Sequence, residues 1–321
     1  MKYLITGGAG FIGSHLSEAL IAEGHEIVAL DDLSTGNKTN VEKLLSSGQF
    51  HLIEGDVTES EIVDSLVKEC EGVFHLAAAV GVKKILQDPI GSLKINLEGT
   101  ENVLLSASKH KKRVLLASTS EIYGKNDSGP LTEDSDRILG SPLLSRWTYS
   151  EAKAIDEAFA RVLFEREGLK VQIIRFFNTV GPRQSTSYGM AIPTFFRAAI
   201  KNEPIQIHGD GLQQRVFCHI EDAINGIKSL WNSNTGFGEA YNLGGLEETT
   251  ILDLAKRILL KTNSRSELEF VPYEVLAKTG FEDMRRRIPV TIKLEKATGW
   301  RAKRSLEQIL NDVYVHLLEQ V

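Results

Sequence analysis

Tyr149 and Lys153 are the two residues whose types and spacing best suit proton chemistry. Four positions apart on a helix, they share one face about one turn apart. A free tyrosine titrates near ~10 and is a poor base at neutral pH. A lysine ammonium ~4 Å away, in a medium of effective dielectric ~20, favours the phenolate by ~4 kcal/mol, or about three powers of ten in ionisation. A tyrosine helped in this way can take a proton from an alcohol while hydride leaves the same carbon. The same spacing recurs on ordinary surface helices, so the pair needs support from the rest of the chain.

The elements around the pair must therefore supply a hydride acceptor. The chain opens with an apolar strand at residues 2–6. Gly7-Gly8-Ala9-Gly10-Phe11-Ile12-Gly13 follows, then an amphipathic helix to about Glu23 and a strand at 26–30 that ends in Asp31-Asp32. Strand, glycine turn, helix, strand and acid in this order form a dinucleotide fingerprint. Gly7, Gly10 and Gly13 provide the tight turn, the backbone approach to a pyrophosphate and the close helix packing. Phe11 and Ile12 open the helix whose free amides face that pyrophosphate. Asp31, eighteen positions after Gly13, can accept hydrogen bonds from an adenosine ribose, and its charge repels a 2'-phosphate, so NAD is expected rather than NADP. The positive nicotinamide ring would add to the pull of Lys153 on Tyr149.

Further strands are expected at 50–54, 72–79, 113–117 and 171–176, with helices at 60–68, 92–109 and about 146–166. Alternation of this kind predicts an α/β fold, a doubly wound parallel Rossmann sheet with ligands at the C-terminal strand ends. Gly13, Asp31, Ser118 and Asn178 all fall at or just beyond such ends. Asp56 and Val57 follow the 50–54 strand and can border the adenine, and Asp56 can also serve as a helix N-cap ahead of 60–68, the two being compatible. Leu76, Ala77 and Ala78 are the small residues where a cofactor can approach. The expected cofactor-binding domain is 1–178, with segments from about 214–250 packing back on it. Residues 179–321 form mainly a smaller α/β lobe for the substrate.

These residues together resemble the extended short-chain dehydrogenases/reductases that act on nucleotide sugars. The resemblance covers essentially the whole chain, through the glycine motif, Asp31, Ser118, Tyr149 and Lys153. It extends to His75-Leu76-Ala77-Ala78, Phe177-Asn178, Gly181-Pro182-Arg183-Gln184, and Gly209-Asp210-Gly211 with Arg215. It implies that Tyr149 takes the hydroxyl proton, that NAD takes hydride from sugar C4, that Ser118 or a neighbouring hydroxyl such as Ser120 assists, and that Lys153 also holds the nicotinamide ribose. Arg146-Trp147-Thr148-Tyr149-Ser150 is similar to UDP-glucuronate decarboxylases. Arg287-Ile288-Pro289 resembles their Arg-Lys-Pro motif with Ile288 in place of the lysine. Glu121 supplies a carboxylate that plain 4-epimerases lack and that 4,6-dehydratases share.

Oxidation at C4 turns a hexuronate into a β-keto acid that can lose CO2. Glu121 could then manage a proton at C5, and Arg287 could hold a carboxylate or a phosphate. Arg215 and Arg287 read either as diphosphate clamps or as solvated charges or ion pairs between domains, and the resemblance makes Arg183 a further substrate-binding candidate. Asn178 reads as a sugar or diphosphate contact, or as a turn former. UDP-glucuronate decarboxylation is the expected reaction, with 4-epimerisation and 4,6-dehydration as alternatives. A non-catalytic dinucleotide binder has no need of Tyr149 and Lys153. Lys83, His208 and Asp156 receive no role.

Bulk properties narrow the classes further. The 321 residues are 42% hydrophobic and 25% charged, with a net charge of -6, which suits a soluble globular protein and no nucleic-acid partner. Cys70 and Cys218 form neither a disulfide framework nor a metal spacing, so a reducing cytoplasm is expected. No apolar run reaches membrane length and no signal peptide is expected. A homodimer through the 92–109 and Tyr149 helices is implied by the resemblance.

Overall fold

The computed structural model describes residues 1–80, 88–185, 190–277 and 284–319; Lys83 lies outside them. Seven parallel strands make the main sheet: β1 (Lys2–Thr6), β2 (Glu26–Asp31), β3 (Phe50–Glu54), β4 (Gly72–His75), β5 (Arg113–Thr119), β6 (Val171–Phe176) and β11 (Ala240–Leu243). Their order is β11-β6-β5-β4-β1-β2-β3, which reverses direction between β1 and β4. Ligands of open α/β sheets bind at such a reversal.

Helices α1 (Phe11–Ala22) and α6 (Ile220–Ser233) cover one face. Helices α2 (Ser60–Glu69), α3 (Pro89–Lys109) and α4 (Thr148–Glu167) cover the other. Because strand side chains alternate, neighbouring residues of β1 enter different cores. Ile5 packs with Leu16, Phe74 and Trp231, whereas Leu4 packs with Val28, Val73, Val103 and Leu163. Each such fully buried aliphatic contributes about 1.5–3 kcal/mol relative to exposure.

The chain then builds a second lobe and returns. Helices α5 (Ala191–Lys201), α7 (Ile251–Thr262) and α8 (Leu306–Leu318) enclose a core around Phe196, Ile207, Leu254 and Leu310. Local signals fix their ends. The Thr250 side chain accepts from the Asp253 amide at the start of α7, Asn263 closes that helix in the left-handed region, and Ser305 with Gln308 forms a reciprocal cap on α8. Two small sheets complete the lobe, β8 (Ile205–His208) with β13 (Leu268–Val271), and β9 (Gln214–Val216) between β12 (Glu248–Thr250) and β14 (Arg286–Arg287). A further pair, β7 (Thr179–Val180) and β10 (Cys218–His219), lies where the lobes meet.

The expected division at residue 178 needs adjustment in two ways. Within 214–250, β9 and β12 belong to the second lobe, while α6 and β11 belong to the first. Residues Leu294, Trp300 and Ala302 also join the first lobe's core, and the Trp300 indole donates to the Asp222 carbonyl at 3.0 Å. The chain thus crosses between lobes repeatedly. No helix of the described residues is long and apolar enough to cross a membrane.

Candidate active site

A cavity of about 1540 Å³ runs along the C-terminal ends of the strands and between the lobes. Gly7, Gly10, Phe11, Ile12, Gly13, Asp31, Asp32, Asp56, Val57, Leu76, Ala77 and Ala78 all line it, as do Ser118, Glu121, Tyr149, Lys153, Asn178, Arg183, Arg215 and Arg287. Ser120 does not, being buried against the protein.

At one end the glycines set the backbone. Gly7 has φ +71°, and a Cβ there would stand 2.9 Å from the Ala77 nitrogen. A Cβ on Gly13 would meet the Gly7 carbonyl at 2.1 Å, so only glycine lets α1 approach β1 this closely. Helix α1 has no side-chain cap and no acid in its first turn, which leaves its opening amides and partial positive charge to a ligand. Asp31 closes this end: Oδ2 accepts from the Ala9 amide and Oδ1 from the Leu33 amide, both at 2.9 Å. Burial raises its carboxyl above the usual range, and those amides oppose the rise. Asp56 accepts from the Thr58 amide at 2.8 Å, and the N-cap of α2 is Glu59, so Asp56 does not cap the helix. These groups fit a pyrophosphate and an adenosine ribose.

Tyr149 and Lys153 project from the first turns of α4. The start of that helix is tied to the turn after β5 by the Ser150 hydroxyl, which donates to the Glu121 carbonyl at 2.7 Å. Tyr149 is hydrogen-bonded to the Thr119 hydroxyl, and its own hydroxyl is held far above the ordinary range. Burial is the main cause, followed by the negative charges of Glu121 and Asp156. The expected fall of about three powers of ten is therefore not met in the protein alone. Burial outweighs whatever pull Lys153 exerts, and its Nζ lies 3.1 Å from Asp156 Oδ2, where both side chains are almost fully buried, so that carboxylate offsets part of its charge. Nζ makes no well-formed hydrogen bond to any other described residue. An ammonium on the cavity wall with donors to spare suits a ribose hydroxyl.

The hydroxyl beside Tyr149 comes from Thr119, not from Ser118 or Ser120. Ser118 donates instead to Glu157, which also pairs with Arg175 at 2.6 Å. Adjacent strand residues point to opposite faces, so a one-place ambiguity at the end of β5 decides the partner. In sequence this could have been found only by counting faces from β5.

Glu121 sits at the centre of a second cluster. One carboxylate oxygen is 2.6 Å from Arg146 Nη2, and the other pairs with Arg287 Nη1. Arg287 also donates to Asn178 Oδ1 at 2.7 Å, while its Nε has no partner among the described residues. Burial alone would raise the Glu121 carboxyl, but Arg287 and Arg146 outweigh it and bring it down to about 2. Arg146, 5% exposed, is a site residue that position alone did not reveal; its signal was the Arg-Trp-Thr-Tyr-Ser stretch. Asn178, at φ +28°, also donates to the Val216 carbonyl at 2.9 Å and so ties β6 to β9.

The other arginines are already engaged. Arg183 pairs with Glu18 and donates to the Asn40 carbonyl at 3.3 Å, joining the second lobe's entry to the α1 region. Arg215, buried on β9, donates to the Gln214 carbonyl at 2.8 Å. His208 lines the same cavity. No cluster of potential metal ligands occurs among the described residues.

Fold and site together define a Rossmann-fold enzyme of the extended short-chain dehydrogenase/reductase class that acts on nucleotide sugars. Residues 4–313 match the GDP-mannose 4,6 dehydratase family, and the chain belongs to it. It is 37% identical over 312 residues to the UDP-N-acetyl-alpha-D-glucosaminuronate decarboxylase of Bacillus cytotoxicus, covering 97% of this chain and 96% of that protein. The UDP-glucuronic acid decarboxylase 1 of Danio rerio is 37% identical over 310 residues, covering 97% of this chain and 71% of the relative. Among solved structures, UDP-glucuronic acid 4-epimerase from Bacillus cereus, in complex with UDP-glucuronic acid and NAD, superposes with a TM-score of 0.90 at 26% identity over the full length of both chains.

Proposed function

We propose that this enzyme is an NAD-dependent decarboxylase of UDP-hexuronates. The observation that carries this reading is the pair of guanidinium groups, Arg146 and Arg287, that converge on one carboxylate beside Tyr149. Cations placed there can also take the carboxylate of a substrate, and a planar arginine fork matches it in two places.

Bound NAD supplies the hydride acceptor for C4. Tyr149 takes the C4 hydroxyl proton, with Thr119 hydrogen-bonded to the phenol and Lys153 providing the positive charge that favours the phenolate. The resulting β-keto acid loses CO2 as the C5–C6 bond breaks, and the electron pair remains on C5 as an enolate. C5 then takes up one proton, which balances the one Tyr149 removed from the C4 hydroxyl. No base has to remove a C5 hydrogen in this step. A 4,6-dehydratase does need such a base, and Glu121, held to about 2 by burial outweighed by two arginines, is a weak one near neutral pH. Glu121 serves better as the anion that keeps Arg146 and Arg287 in register, and as a proton donor or acceptor only once the substrate has drawn Arg287 away. Arg183, Arg215 and Asn178 border the part of the cavity where the diphosphate lies in this reading. Ser118 and Ser120 act on the fold rather than on the sugar.

The test is product analysis after incubation with NAD and either UDP-glucuronate or its 2-acetamido counterpart. Loss of CO2 is expected with at least one of them. An unchanged mass with inverted C4 would make the enzyme a 4-epimerase, a reading that the Bacillus cereus likeness keeps open. No change with either would overturn both, and UDP-glucose would follow.

A homodimer goes with this reading. Ile90 and Leu105 on α3 and Ile155 and Val162 on α4 are exposed apolar side chains on two helices that pack side by side. A monomeric mass in solution at micromolar protein would refute it. A cytoplasmic location is in keeping with two buried free cysteines, and fractionation checks it.

A further inference from the structure

Beneath the cofactor end of the cavity runs a buried chain of hydrogen bonds that the reaction does not require. Thr100 Oγ1 donates to Asp156 Oδ2 at 3.0 Å, and His75 Nε2 lies 3.1 Å from the same threonine oxygen. On the other side of the ring, His75 Nδ1 is 2.7 Å from Thr6 Oγ1, which accepts from the Ala77 amide at 3.2 Å. A carboxylate only accepts, so the directions follow one another. Ala77 N–H donates to Thr6, Thr6 to His75 Nδ1, His75 Nε2–H to Thr100, and Thr100 to Asp156. The imidazole is thereby fixed as the neutral Nε2–H tautomer. Burial, and secondarily the Lys153 charge, push its acidity to about 3, so it stays neutral throughout the physiological range. All four side chains are at most 3% exposed. The chain begins on β1, passes β4 and α3, and ends on α4 against the Lys153 ammonium.

We propose that Asp156 is a positioning residue: anchored by Thr6, His75 and Thr100, it holds the Lys153 ammonium in the cavity wall and offsets part of its charge. The inference rests on reading Tyr149 as the proton acceptor beside NAD. Its first consequence is geometric. The lysine is tied through α3 and β4 to the strand that carries the glycine turn, so the ribose contact and the pyrophosphate contact keep a fixed separation. Its second is electrostatic, since the same carboxylate opposes the phenolate that Lys153 favours. Around Asp156 the titratable and charged groups are Lys153 and Glu157 on its own helix, His75 on β4, and Arg175 on β6, which is paired with Glu157. Tyr149 additionally faces Glu121. Beyond burial, the charges that raise the Tyr149 hydroxyl are thus those of Glu121 and Asp156, and Lys153 opposes them.

Two variants separate these effects. Asp156→Asn keeps the shape and the acceptor for Thr100 but removes the charge. It should move the acid limb of the kcat/KM profile about one unit towards lower pH. Thr100→Val keeps the charge and cuts the chain. It should weaken NADH binding, followed by protein fluorescence in the absence of sugar, roughly ten-fold through one lost hydrogen bond to a charged group, with the acid limb unmoved. A merely structural role would lower the melting temperature of both variants and shift neither readout. An unmoved limb in Asp156→Asn, or unchanged NADH affinity in Thr100→Val, overturns the proposal. If Asp156→Asn fails to fold, the NADH affinity of Thr100→Val decides alone. A Tyr149→Phe variant with full turnover would instead sink the reading on which the inference stands, so the two failures are distinguishable.

Discussion

Two ion clusters flank Tyr149, and they are built in opposite ways. Lys153 and Asp156 lie three residues apart on α4 and meet through the helix repeat, with Thr100, His75 and Thr6 behind the carboxylate. Arg146, Glu121 and Arg287 come from the approach to α4, the turn after β5 and a strand of the second lobe. The first cluster needs only elements of the first lobe. The second exists only when both lobes are folded and joined. The local pair is therefore suited to setting a constant, the charge next to the phenol. The composite one is suited to sensing a ligand, because a substrate carboxylate competes for cations that belong to different parts of the chain.

The sharpest way to break this division is Tyr149→Phe. Turnover should fall by about 10²–10⁴-fold while NADH affinity stays within a few-fold, since both clusters remain intact. Full turnover would mean that neither cluster serves a proton transfer. Arg287→Leu comes next. It leaves Glu121 with Arg146 alone and Asn178 Oδ1 without its donor, and kcat/KM for a hexuronate should drop roughly 100-fold. A drop in NADH affinity of similar size would show that the composite cluster is not specific to the sugar.

Acid should take the two regions apart in different windows. His75 lies behind Lys153 and Asp156, and His15, on α1, has Nε2 3.0 Å from the Pro182 carbonyl oxygen where the chain enters the second lobe. Both are held neutral by burial, at about 3 and about 4 respectively. Their folded values lie below the unfolded one near 6.5, so the unfolded chain binds protons first and stability is lost as pH falls below ~6.5, by up to ~1.4 kcal/mol per pH unit for each group. Glu121, at about 2, contributes stability that is full above its unfolded value near 4.5 and is lost only below it. Urea midpoints at pH 7, 5.5 and 4.5 should therefore decline before Glu121 titrates, and His15→Gln should flatten that decline. A flat midpoint from pH 7 to 5 would contradict the assignment. The smallest effect concerns the hydroxyls of β5. Thr119→Val should slow turnover about ten-fold through the lost contact with Tyr149, and Ser118→Ala by less, because Glu157 keeps Arg175. The reverse order would restore Ser118 to the reaction.

How legible each region is in sequence follows from the same contrast. The glycine turn, Asp31 and the Tyr149–Lys153 spacing could be read because each is a local pattern with a local cause. The neutral phenol could not be foreseen, since it depends first on the burial of Tyr149 and then on the charges of Glu121 and Asp156 nearby, and none of these follows from helix spacing around Tyr149 alone. Arg146 was visible only as part of a motif. That it meets Arg287 across one carboxylate needs β14 to pair with β9, which two residues of strand do not announce. β11 was missed for a related reason: four residues, Ala240–Leu243, with the buried Asn242 among them, give no apolar run. Asn242 is tolerated there because Tyr123, Leu131 and Glu133 satisfy its polar atoms.

β11 also governs how this molecule can be made and divided. The sheet's outermost partner for β6 arrives only after the chain has travelled through the first part of the second lobe. During synthesis β6 must wait with an open edge until residues 240–243 emerge, an interval set by elongation at ~5–20 residues per second. A fragment stopped at residue 178 would keep that edge bare and be prone to pair with its own kind. Any attempt to graft the cofactor half onto another protein therefore has to carry Ile220–Leu243 with it.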